Sequence, residues 1–205
     1  MSTLSHHITA AEIPLVEPVT KKWSREEYYK LDEQGWFLNQ RVELFDGEIV
    51  VVSPQSFSHA WCVDVITQRL KELFGEDYWV RSQLPITQED RSEPEPDISV
   101  VRGSRDRYSD HPQSAVLIVE VSITTLQFDK TKKANLYASM GVPDYWVLDL
   151  ENRQLLVHRD SVKDENAPFG HRYQQAQMLP ADGHVSPLEK PDAKLAVADM
   201  LPPKK

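Results

Sequence analysis

The sequence predicts an α/β domain with a mixed central β-sheet flanked by α-helices and an N-terminal β-hairpin. Three observations carry that expectation: an Asp46-Gly47 dipeptide between two apolar runs, a long amphipathic segment from Ser58 to Phe74, and the nearly continuous apolar run Ala115 to Val121. Asp-Gly suits a type I′ hairpin turn, which needs positive φ at both central residues. Apolar residues at three- and four-residue spacing mark one face of a helix, and an unbroken apolar run marks a strand covered on both sides. With 205 residues the chain can bury one sizeable core and is short for two independent ones.

The elements follow in order. Residues 1–22 are expected to form a flexible arm, since they lack the basic stretch followed by an apolar stretch of a secretory signal. Ser24 with Glu26 and Glu27 caps a short helix running through Leu31 that Gly35 ends. Arg41–Phe45 and Glu48–Val52 are the hairpin strands. The amphipathic helix after Ser53-Pro54 places Val63, Ile66, Leu70 and Leu73 on one face and closes at Gly75. Strands are expected at about Tyr78–Gln83, Asp97–Val101 and Ala115–Val121, then a helix from Asp129 to Met140 and two strands at Tyr145–Asp149 and Leu155–His158. The domain is expected to span 23–179, followed by a partly docked tail over 180–205 in which Leu195–Leu201 is the apolar part.

Composition narrows the function. No apolar run approaches the roughly 20 residues that cross a bilayer, so no membrane span is expected. The lone Cys62 excludes an internal disulfide framework and a cysteine-rich zinc site, and fits a reducing, cytoplasmic setting. The formal net charge of −9 argues against a broad basic surface that grips phosphate backbones, although a metal can neutralise phosphate locally.

The chemistry gathers around two carboxylates. Pro94-Glu95-Pro96-Asp97 puts an acid where a strand begins, and Glu120 interrupts an otherwise apolar strand. Two carboxylates at neighbouring strand ends suit Mg²⁺ or Mn²⁺, because a hard cation takes one or two carboxylates and completes its shell with water and substrate oxygens. The Val121 carbonyl is a natural third ligand. Taken singly, Asp97 reads more readily as a turn cap after proline and Glu120 as a strand-end glutamate in a salt bridge; the combination is more specific. The next helix carries Lys130, Lys132 and Lys133; helical geometry sets Lys133 beside Tyr137 and turns Lys132 roughly 100° away. An ammonium beside the metal would orient the attacking water and stabilise charge on phosphorus. The plainer reading of Lys133 is a helix-surface ion pair with Asp129, four residues back.

These residues resemble a known family. Pro94-Glu-Pro-Asp97, Glu120-Val-Ser122, Thr124-Thr-Leu126, Asp129 with Lys133 and Tyr137, and Gly141-Val-Pro-Asp-Tyr-Trp-Val-Leu-Asp149 together look like the Uma-type restriction endonucleases of the PD-(D/E)xK nuclease superfamily. The resemblance reaches upstream through Arg41–Glu48, Ser53-Pro54, His59 and Gln83. It implies a restriction-endonuclease-like core with Asp97 and Glu120 on the metal. The superfamily lysine, normally two residues after the second carboxylate, is replaced by Ser122, and Lys133 corresponds to its migrated form. Glu43 matches the upstream glutamate of many members, while Gln83 and His59 are candidates to line the cleft. Ile123 stands where related chains often have an acid.

The resulting expectation is a Mg²⁺- or Mn²⁺-dependent endonuclease acting on nucleic acid, DNA first, with a second copy of the chain as protein partner. The alternative is a noncatalytic, nuclease-like module whose acidic surface contacts a protein.

Overall fold

The computed structural model describes residues 18–204, so most of the expected N-terminal arm lies outside the described residues. Helix α1 (Arg25–Glu33) opens with a full capping box: the Ser24 hydroxyl accepts from the Glu27 amide, and the Glu27 side chain accepts from the Ser24 amide. Strands β1 (Arg41–Phe45) and β2 (Glu48–Val52) pair antiparallel. Asp46 and Gly47 sit at φ 48° and 71°, as the dipeptide requires.

Helix α2 (Phe57–Phe74) is capped by Ser56 and stopped by Gly75 at φ 67°. Its apolar face packs Cys62, Ile66, Leu70 and Phe74 against one side of a six-stranded sheet. That sheet runs in the order β3 (Tyr78–Ser82), β4 (Ile98–Arg102), β5 (Leu117–Ser122), β6 (Asp144–Asp149), β7 (Gln154–Lys163) and β8 (His171–Pro180). Only β5 and β6 pair in parallel. A parallel pair needs a crossover, and the helical segment between them supplies it. The crossover therefore lies over the sheet at Glu120, which is what brings the lysine helix to the carboxylates.

The crossover is not the single helix expected from Asp129. It comprises α3 (Leu126–Phe128), a π-helical turn over Asp129–Lys133 and α4 (Ala134–Ser139). The Ala134 amide bonds the Asp129 carbonyl five residues back, and the buried Tyr145 hydroxyl donates to the same carbonyl. A side chain inserted into the helical ladder is a recognised cause of such irregularity. On this side of the sheet, Leu136 is buried, and Tyr137 and Ala138 pack with Ile118, Tyr145 and Val147.

The β7–β8 hairpin extends well past His158, the last residue of the expected strand. Strand β8 is an edge with mostly exposed polar residues, so no apolar alternation announces it. Beyond it, β9 (His184–Val185) pairs with β10 (Leu195–Ala196), and Val185, Val197, Met200 and Leu201 join the core against α2. No helix among the described residues is long and apolar enough to cross a membrane.

Candidate active site

The register of β4 on β5 pairs Ile98 with Val119, which sets Asp97 opposite Glu120. The Asp97 amide points at Glu120 Oε2, 3.4 Å away. Asp97 Oδ2 accepts from the Val121 amide at 2.8 Å and lies 3.1 Å from His59 Nε2 on α2. Side chains alternate along β5, so Val119 and Val121 enter the α2 core while Glu120 turns to the crossover side. There, Glu120 Oε1 accepts from Lys133 Nζ at 3.0 Å and from the Tyr137 hydroxyl at 2.8 Å.

Lys133 is the hub. It also lies 3.7 Å from Glu43 Oε2 on β1 and 4.0 Å from Asp129 Oδ1 on its own helix. The i,i+4 partner is present, but not as the helix-surface pair expected: Lys133 is buried and faces two strand glutamates as well. Lys132 is exposed, as its rotation away from Lys133 predicts. Asp97, Glu120, Glu43, Asp129 and Lys133 are all less than a tenth exposed.

Three buried carboxylates therefore share one ammonium, with a fourth, Asp97, beside them. The imbalance bears on Glu120 and Glu43. Burial first, then Asp97, Asp129 and Glu43, push the Glu120 carboxyl up to about 8 against the pull of Lys133. Burial likewise raises Glu43, with Lys133 opposing. For Lys133, burial works against the charge, but Glu120, Glu43, Asp129 and Asp97 outweigh it and hold its pKa well above the ordinary value. Lys133 stays an ammonium, and Glu120 and Glu43 are the groups that give way. Tyr137 is raised by burial and then by Glu120, so it remains a phenol and a donor.

The cluster forms the floor of a cavity of about 380 Å³. Its walls are the hairpin, the Ser53–Ser56 turn, the start of α2 and the loop after β5. The α2 N-terminus carries no acidic residue in its first turn, so its partial positive charge is left available at the cavity. Of the residues expected at the site, Asp97, Glu120, Lys133, Glu43, Val121 and His59 line this cavity, and Tyr137 lies behind Glu120. Gln83 is not among the lining residues; its backbone amide bonds the Pro96 and Asp97 carbonyls and so fixes the start of β4. Asp129 and Glu95 also line the cavity. Their signals were present in the sequence, as the i,i+4 partner of Lys133 and the acid within Pro-Glu-Pro-Asp, but neither spacing marked a site.

The family model described as Uma2, "Putative restriction endonuclease", matches residues 25–198. The chain belongs to this family. Among solved structures, this Uma2-family chain is similar to the crystal structure of a "putative nuclease belonging to DUF820" from Anabaena variabilis. The two are 16% identical, with a TM-score of 0.67 over 86% of this chain and 96% of that one. At that identity the likeness establishes the fold alone. No curated protein matches the chain.

The donor set fits a divalent cation of the kind restriction-endonuclease-like proteins use. All the carboxylates offer hard oxygen donors, and their charge exceeds what Lys133 neutralises. Among the described residues no three His, Cys, Asp or Glu side chains make a ready metal cage, and Lys133 occupies part of the cluster. Two carboxylates with open positions is the arrangement Mg²⁺ accepts, since it retains waters and takes substrate oxygens.

Proposed function

We propose that this protein is a Mg²⁺- or Mn²⁺-dependent endonuclease that hydrolyses DNA phosphodiesters at the floor of this cavity. The observation that carries the reading is the surplus of buried carboxylate over the single ammonium of Lys133. Uncompensated buried charge costs several kcal/mol, so a fold keeps it where a cation or a reaction uses it.

Asp97 and Glu120 would hold the cation, with the Val121 carbonyl as a further oxygen. Bound there, a divalent ion would polarise the phosphoryl oxygens and make a water nucleophilic near neutral pH. The chain's own residues do the rest. The Val121 amide and His59 fix the Asp97 carboxylate, and Tyr137 fixes Glu120. Lys133, kept charged, stabilises negative charge on the phosphoryl oxygens as water attacks and the P–O bond to one sugar breaks. Glu43, 3.7 Å from Lys133, holds the ammonium in position from the hairpin side.

The test is cleavage of plasmid, single-stranded DNA and RNA by the purified protein with Mg²⁺ or Mn²⁺, beside Asp97→Ala and Lys133→Ala. Metal-dependent cutting that Asp97→Ala abolishes, and that Lys133→Ala lowers by at least about a hundredfold, supports the assignment. Full activity in Asp97→Ala refutes it. The net charge of −9 favours one rival, a noncatalytic module that binds a protein through its acidic surface. That rival predicts no cutting and no effect of metal on stability.

A further inference from the structure

The cavity over the carboxylates has apolar walls and is short of free cations. In the hairpin register Arg41 faces Val52 and Glu43 faces Val50, so Val50 and Val52 share the face that carries Glu43 into the cavity. Across from them stand Ile123, more than a third exposed, and Phe128. The lining cations are Arg41 and Lys133. Arg41 lies 3.1 Å from Glu95, and Lys133 is held by the cluster. Five carboxylates line the same space: Glu43, Glu95, Asp97, Glu120 and Asp129. Outside, Lys132 sits 5.9 Å from the Phe128 ring and is the cation placed to meet a backbone phosphate.

A duplex is held through rows of Lys and Arg on its phosphates, and its major groove alone is about 12 Å wide. A cavity of about 380 Å³ is at the small end of ligand pockets and has room for a nucleotide-sized group only. The reactive groups lie at its floor, each less than a tenth exposed. A phosphodiester still within a duplex is poorly placed to descend to them. An unpaired strand can, and its bases have apolar faces to match the walls.

Resting on the nuclease reading above, we propose that the substrate is single-stranded DNA, with one unstacked base seated against Val50, Val52, Ile123 and Phe128 while the neighbouring phosphodiester reaches Asp97 and Glu120. Recognition is then carried by base contact more than by charge. The salt dependence of binding should correspond to about one phosphate contact, a slope near −0.7 in log K against log salt.

The experiment follows binding by fluorescence anisotropy and cutting by gel, with Mn²⁺. It uses a labelled single strand, its duplex, a strand of the same length bearing abasic sites, and the double variant Val52→Ser/Ile123→Ser. The single strand should be bound and cut at least about tenfold better than the duplex, and the abasic strand and the double variant should each lose about tenfold. The double variant should keep the thermal shift that Mn²⁺ produces. A duplex handled as well as the single strand, or an abasic strand handled as well as the intact one, overturns the proposal and leaves the nuclease reading standing. Selective binding of the single strand without cutting removes the nuclease reading and with it the single strand as substrate, leaving a single-strand binding site alone, and no binding of any strand removes that as well.

Discussion

Asp144 and Glu120 are both carboxylates on central strands of one sheet, and both are almost wholly buried, yet they are treated in opposite ways. Asp144 receives Trp146 Nε1 at 2.7 Å, Arg159 through Nε at 2.9 Å and Nη2 at 3.2 Å, and the Leu188 amide at 2.9 Å. Each of its oxygens is satisfied, and its charge is matched by one guanidinium. Glu120 has Lys133 and Tyr137, but must share Lys133 with Glu43 and Asp129. One site matches its charge within the protein, and the other gathers more carboxylates than cations. The first ties β6 to β7 and to the 184–188 segment; the second is where a ligand of positive charge would bind.

The largest effect is expected at the satisfied site. Asp144→Asn removes the charge that Arg159 faces and should destabilise the fold by about 2–4 kcal/mol in urea unfolding, discounted because Arg159 is a quarter exposed. Little loss would mean that the ion pair is solvated and that the contrast is weaker than drawn.

His158 gives a pH test away from both carboxylates. Buried between Tyr145 and Tyr173, it is pushed down to about 4 by loss of hydration. Its folded value lies below the unfolded value near 6.5, so between these pH values the unfolded chain takes up the proton first. Stability is therefore full above about pH 6.5 and falls as the pH drops toward 4, by on the order of 3 kcal/mol from this residue. His158→Phe should flatten that part of the profile, and an unchanged slope would assign the acid loss to other groups.

The smallest effect has the opposite sign. Glu120→Gln removes a charge disfavoured by burial and by three neighbours, while its amide oxygen can still accept from Tyr137. Without metal, the variant should be more stable by about 0.5–1 kcal/mol, although it should not cut DNA. A large destabilisation would make the Glu120–Lys133 pair structural, like Asp144–Arg159.

The parts of this contrast were not equally legible in the sequence. The hairpin, the α1 capping box and the limits of α2 follow from local chemistry within a few residues, and Glu120 declared itself by interrupting an apolar run. Lys133 could be chosen over Lys132 because helical rotation is local. The Lys133–Asp129 contact is the i,i+4 pairing that spacing offers, but the approach of Glu43 to the same ammonium could not be read from spacing, since it depends on where the hairpin docks. Asp144 was hidden for a similar reason: among its partners, Arg159 and Leu188 lie 15 and 44 residues away. Strand β8, polar and at an edge, carries its information in main-chain pairing and not in side-chain pattern.

The central claim is that the surplus of carboxylates around Glu120 is a divalent-cation site. The most direct measurement is the thermal midpoint of wild-type protein, Glu120→Gln and Asp144→Asn with and without Mn²⁺. Saturating metal, about a hundredfold above its dissociation constant, is worth about 2.7 kcal/mol. The wild type should therefore rise by roughly 5–10 °C at 2–4 °C per kcal/mol. Asp144→Asn should rise by as much from a lower start, and Glu120→Gln should barely move. A wild type that ignores Mn²⁺, or a Glu120→Gln protein that responds as fully as the wild type, would contradict the account.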